Sequence, residues 1–140
     1  MADEQQQIAW ANAHIGEVRY AVDIQTGHHR LIADEHPALG GRDAGPTPFG
    51  LLVSALGACT SATLKMYAER KGWPLEALDV RLRYFKSDDG DHIERLLTPH
   101  GPLDAEQRAR LADIAERTPV TLAIKGGVAI RTELADEASG

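Results

Sequence analysis

One cysteine, Cys59, is all the thiol that the 140 residues carry, so an intrachain disulfide is excluded and no oxidising compartment is implied. Blocks of like charge are missing too, which leaves no charged binding tail. The net charge is −6, a balance that invites neither nucleic acid nor an anionic membrane. The opening MADEQQQ is acidic and polar, unlike a secretory signal, and the expected location is the cytoplasm. No charge occurs between Asp43 and Lys65, yet Gly45, Pro46, Pro48, Gly50, Ser54 and Gly57 interrupt that stretch. It falls short of the roughly 18 consecutive apolar residues that a membrane span needs. Cofactor signatures are equally scarce. The six histidines, His14, His28, His29, His36, His92 and His100, follow no zinc spacing, and no P-loop or dinucleotide fingerprint occurs. Ser54 and Ser61 lack the surroundings of a nucleophilic serine. Neither a metal nor an organic cofactor is expected.

What is present suits one domain over residues 1–140, long enough to bury a core without staples. Val18, Tyr20, Val22 and Ile24 alternate with more polar neighbours, the period of a half-buried strand. Thr26-Gly27 marks a turn and His29 to Asp34 a returning strand, with a weaker strand before them around Ile8 to Ala13. Residues 35–47 are loop. Thr47 then offers an N-cap and Pro48 a first helical position, and the helical pattern runs to Lys71 before Gly72 and Pro74 end it. Residues 77–86 alternate, Asp88-Asp89-Gly90 turns, and residues 92–98 form the partner strand. Asp104 with Gln107 resembles a capping box opening a helix to about Arg117. Thr118-Pro119 starts a short helix ending near Gly126-Gly127, and Val128 to Leu134 is expected as a final strand. The order is that of an α+β fold.

On the long helix, Leu52, Ala55, Leu56, Cys59, Ala62, Thr63 and Met66 fall at helical spacing and are expected as its buried stripe. The opposite side of its first half is uncharged as well, so cover on nearly all sides is expected, with a second subunit as one source. Read this way, Cys59 is either a small inert core residue or a reactive thiol. It lies three turns into its own helix, beyond the reach of that helix's N-terminus. Activation would need a cation brought from elsewhere in the fold.

The run DEHPALGGRDAGPTPFGLLVSALGACTSATLKMYAERKGWPLEALDVRL, followed by GPLDAEQRARLADIAERTPV, resembles the OsmC/Ohr family of osmotically induced and organic-hydroperoxide-resistance proteins. The likeness is carried by GG-x-D-x-G-P-x-P, then A-L-G-x-C-T, then M-Y-A-x-R-K-G-W-P-L, and it spans roughly residues 17–134. It implies an interlocked homodimer in which a helix cysteine reduces peroxides and a second cysteine closes a disulfide with it. Cys59 matches the peroxidatic position, whereas Thr118 stands where the family's Cys-Pro-Val carries the resolving cysteine. The family's carboxylate at the start of the long helix is replaced by Phe49-Gly50. Arg19, Arg30 and Arg42 are candidates to support the thiolate, of which Arg19 and Arg42 are preferred. The resemblance therefore implies a weakened, one-cysteine reduction of organic hydroperoxides drawing on an external thiol, akin to a peroxiredoxin. The alternative is a non-catalytic dimer that holds a small apolar ligand in the former active-site cavity.

Overall fold

The computed structural model describes residues 5–137. Three antiparallel strands, β1 (Asn12–Ile15), β2 (Val22–Thr26) and β3 (His29–Ala33), form one sheet in the order β1-β2-β3. The β2–β3 hairpin closes through Gly27-His28, with Thr26 opposite His29, and Gly27 takes the positive φ of 59° that this tight turn requires. The strand expected at Val18 and Tyr20 begins only at Val22. Tyr20 has φ 62°, a left-handed backbone that breaks extended structure, and Ala21 N–H turns back to the Arg19 carbonyl at 2.8 Å.

After a single 3-10 turn at Pro37–Leu39, α1 spans Pro48–Lys71, with the boundaries its caps predict. Thr47 Oγ1 accepts from Gly50 N–H at 3.0 Å. At the other end Gly72 N–H bonds the Glu69 carbonyl and Trp73 N–H the Ala68 carbonyl, a Schellman closure around the φ 69° of Gly72. The paired strands β4 (Ala77–Phe85) and β5 (His92–His100) follow. Next come α2 (Ala105–Ala115), opened by the expected Asp104/Gln107 capping box, and α3 (Pro119–Gly126). This is the α+β fold read from the sequence. The expected strand over Val128 to Leu134 is not formed in the single chain. A strand needs a partner for its ladder, and Val128, Ile130 and Leu134 stand in solvent at 70%, 87% and 100% exposure.

The chain divides into two compact units. One gathers the chain up to Ala55 with Arg83–Ile93. Its centre of order is Asp34, almost fully buried at the end of β3. Asp34 Oδ1 accepts from Glu35 N–H at 2.7 Å, and Oδ2 from Arg42 and Ala44 N–H at 3.1 Å each. Desolvation pushes this carboxyl up, but the three backbone donors and the Arg42 charge outweigh it and hold Asp34 below the ordinary aspartate value. The GGRDAG loop is thereby wrapped on a single side chain.

The second unit joins Leu56–Leu82 to the chain from Glu94 onward. Leu64, Ala68, Leu75, Leu111 and Ala115 form its buried centre, with Tyr67, Trp73, Leu78, Leu97, Leu103 and Ile114 packed around it. The helix stripe differs in phase from the one expected. Leu56, Thr60, Leu64 and Ala68 are buried, while Leu52 (37%) and Met66 (58%) are exposed, as are Ala55 and Ala62. Both faces of α1 are apolar, so spacing alone could not choose between them. By length and composition α1 could cross a membrane, the only such helix among the described residues, and its i, i+4 stripe of Leu56, Thr60, Leu64 and Ala68 is buried in protein.

Candidate functional site

Cys59 lies at the edge of the buried stripe of α1, half-buried. Its sulfur has two neighbours of note, both within the second unit. Thr63, one turn on, brings its hydroxyl to 3.8 Å. The backbone N–H of Val120 points at Sγ from 3.4 Å. This contact arises from how α3 begins. Helix starts leave their first N–H groups without intrahelical partners. Pro119 removes one of these donors, and Val120, the next, gives its proton to the Cys59 sulfur. The terminus of α1 is too far away to act on this sulfur, as the sequence indicates, but the positive end of a different helix reaches it. A hydrogen bond of this kind is stronger to an ionised acceptor than to a neutral one.

Thr118 is fully buried at the N-cap of α3. It makes no side-chain capping bond. Its hydroxyl instead shares a 2.6 Å hydrogen bond with the Thr121 hydroxyl. Val120, two residues beyond Thr118, touches the Cys59 sulfur, so the segment that begins at Thr118 meets α1 at this residue.

An arginine that the sequence reading passed over dominates the polar side of this cluster. Arg95, on β5, keeps only 12% of its side chain exposed. Its Nη1 donates to Thr60 Oγ1 at 3.0 Å and to Thr121 Oγ1 at 2.9 Å. Its Nη2 donates to the Ala115 carbonyl at 2.9 Å and to Glu116 Oε2 at 3.4 Å. Glu116 also pairs with Lys125 at 2.6 Å. The Lys125 hydrogen bond, against some desolvation and helped by the charges of Lys125 and Arg95, holds the Glu116 carboxyl below its ordinary value. One signal for Arg95 was available. In the strand pattern of residues 92–98 it is an inward-facing charge, and such a charge needs partners.

The three arginines read from the sequence lie in the first unit. Arg19 stacks its guanidinium 5.1 Å from the Tyr20 ring centre, beside Gly40. Arg42 donates its backbone N–H to Asp34, and Arg30 sits on β3 opposite Gln25. At the start of α1, Phe49 packs its ring 4.7 Å from that of Tyr84, and no acidic residue occupies the first turn. Among the described residues, no group of three or more His, Cys, Asp or Glu side chains is arranged to hold a metal ion.

The sequence profile described as OsmC-like protein matches residues 40–133. No curated protein matches the chain. Among solved structures, the chain is similar to an OsmC-like protein from Mycoplasma pneumoniae, with a TM-score of 0.75 and 20% identity, covering 87% of this chain and 90% of that one. It is also similar to an organic hydroperoxide resistance protein OsmC from Legionella pneumophila (TM-score 0.64, 22% identity, 88% and 93% covered). A third is the organic hydroperoxide resistance protein OhrB of Bacillus subtilis (TM-score 0.60, 22% identity, 86% and 92% covered).

Proposed function

Since the chain belongs to the OsmC-like family, which is linked to organic hydroperoxide resistance, we propose that it reduces organic hydroperoxides through Cys59 alone. The observation that carries this reading is the Val120 N–H directed at the sulfur from the first turn of α3. A reacting thiolate gains from such a donor, and an inert core thiol has no need of one. Attack by the Cys59 thiolate on the outer peroxide oxygen breaks the O–O bond. The alcohol leaves after taking a proton, and the sulfur is left as a sulfenic acid. With threonine at position 118, an external thiol must attack this sulfenic acid, releasing water and forming a mixed disulfide. A second thiol then frees Cys59 and departs as the oxidised reductant. Within the second unit, the Val120 N–H is the donor that supports the thiolate charge.

The working form is a homodimer in which residues 1–140 act as one domain. Two observations support the dimer. The face of α1 bearing Leu52 and Met66 is bare, and the segment bearing Val128, Ile130 and Leu134 has no ladder partner among the described residues of its own chain. A soluble protein buries surfaces of this kind against another chain. The cytoplasm, where thiols are kept reduced, suits the cycle.

The test is consumption of an alkyl hydroperoxide with a dithiol as electron source. Turnover is expected in the parent chain and none in Cys59→Ser. Thr118→Cys should add a disulfide that the dithiol reduces, provided the two Cα atoms lie within about 7 Å. Equal, negligible consumption by parent and Cys59→Ser would remove the peroxidase reading. The alternative, a non-catalytic dimer that binds a small apolar molecule in the former active-site cavity, would then take its place.

A further inference from the structure

Arg95 does not touch the sulfur through any of its four hydrogen bonds, yet it holds both residues that flank the sulfur's surroundings. On one side it grips Thr60, the residue after Cys59 on α1. On the other it grips Thr121, the residue after Val120 on α3. Its second nitrogen fastens the end of α2, at the Ala115 carbonyl and Glu116. A planar guanidinium with fixed N–H directions is suited to holding several acceptors in set relative positions. We propose that Arg95 is a positioning residue of the Cys59 site. By tying Thr60 to Thr121 it sets the distance between α1 and the first turn of α3, and so aims the Val120 N–H at the sulfur.

The neighbouring bonds favour this role over simple support of the fold. Thr60 also donates to the Leu56 carbonyl at 2.7 Å, and Thr121 is also bonded to Thr118 and to the Ala115 carbonyl. Glu116 keeps Lys125. Every side chain that Arg95 touches therefore has another partner, so each group stays satisfied without the arginine. What is lost without it is the side-chain bridge from Thr60 to Thr121. The functional meaning of this link rests on Cys59 being the reacting thiol, but its existence does not.

The experiment uses the full chain and two readouts. One is hydrogen exchange of the Val120 amide by NMR, which needs no reactivity at the sulfur. The other is the rate of Cys59 alkylation by iodoacetamide in the native state. Arg95→Met should speed Val120 exchange and slow alkylation, each on the order of tenfold, the effect of losing one hydrogen bond to a charged acceptor. Arg95→Lys, which can still reach both threonines with one ammonium, should recover part of both effects. The slowing from Arg95→Met and from Val120→Pro should not add in the double variant, because one acts through the other. If Arg95→Met fails to fold, Thr121→Val, which removes one hydroxyl from the link, should give the same exchange and alkylation pattern. Val120 exchange unchanged in a folded Arg95→Met or Thr121→Val variant would overturn the proposal, as would additive slowing in the double variant. A parent chain that resists alkylation and peroxide, with the exchange pattern intact, would remove the peroxidase reading and leave Arg95 as the side-chain bridge from Thr60 to Thr121.

Discussion

The two faces of α1 have similar composition and different fates. Leu56, Thr60, Leu64 and Ala68 are sealed by the chain's own β-hairpin and α2, whereas Leu52, Ala55, Ala62 and Met66 meet solvent. Only the first face contains a polar residue with a fixed task, Thr60, which accepts from Arg95. Apolar character therefore marks a surface to be covered without saying by what. Polar residues distributed along it show which face the chain covers itself. Cys59 sits at the seam between the faces, where a sulfur can be held by protein and still be approached.

The largest effect that would test this contrast comes from Leu64, which has no exposed surface. Leu64→Ala should cost about 2–5 kcal/mol, read as a lowered denaturant midpoint, because the removed methyls leave a cavity. Met66→Ala, two residues away on the bare face, should cost far less in dilute solution. Equal losses would mean that the two faces are equally enclosed. Next in size is association. Met66→Lys places a charge in the proposed dimer interface and should shift sedimentation toward the monomer at micromolar concentration, leaving the circular dichroism of the fold unchanged. A parent chain that is already a stable monomer there would break the dimer reading.

The smallest effect concerns a region closed entirely by its own groups, the loop around Asp34. The fold lowers this carboxyl's pKa, so folding favours its ionised form. The resulting stability is complete above the unfolded value of about 4 and is lost as the pH falls through the lower folded value. Asp34→Asn cannot accept at both oxygens. It should lower the melting temperature at neutral pH and flatten the acid side of the stability profile. An unchanged acid limb would assign that limb to other carboxylates, such as Asp91 or Asp113, whose pKa values are also lowered.

The helices were legible in the sequence because their ends carry chemistry. Thr47 with Pro48, Gly72 before Pro74, and Asp104 with Gln107 each fix a boundary through a side chain or a permitted φ. Strands lack such punctuation. The pattern at Val18 and Tyr20 alternates correctly, and only the left-handed backbone at Tyr20 shows that it is a turn. Val128 to Leu134 has the period of a strand, but pairing is a property of two segments and this one has no partner among the described residues of its chain. At the site, Cys59 and Thr118 were found through motif resemblance. The Val120 amide was invisible because a backbone donor has no residue type. Arg95 shares the inward face of its strand with Ile93 and Leu97, but that register does not tell which residues, distant in sequence, will partner the charge.

The threonine at position 118 has a kinetic consequence. A resolving thiol built into the chain would act at a fixed effective concentration, independent of the surrounding solution. Here the Thr118 hydroxyl is bound to Thr121 and offers no sulfur. In the proposed cycle, each oxidised Cys59 then enters a race between a free thiol that restores it and a second peroxide that destroys it. Both arrive by diffusion, so the ratio of reductant to peroxide sets the number of turnovers before irreversible loss. A protein of this design records the redox state of its surroundings in the fraction of its molecules that survive.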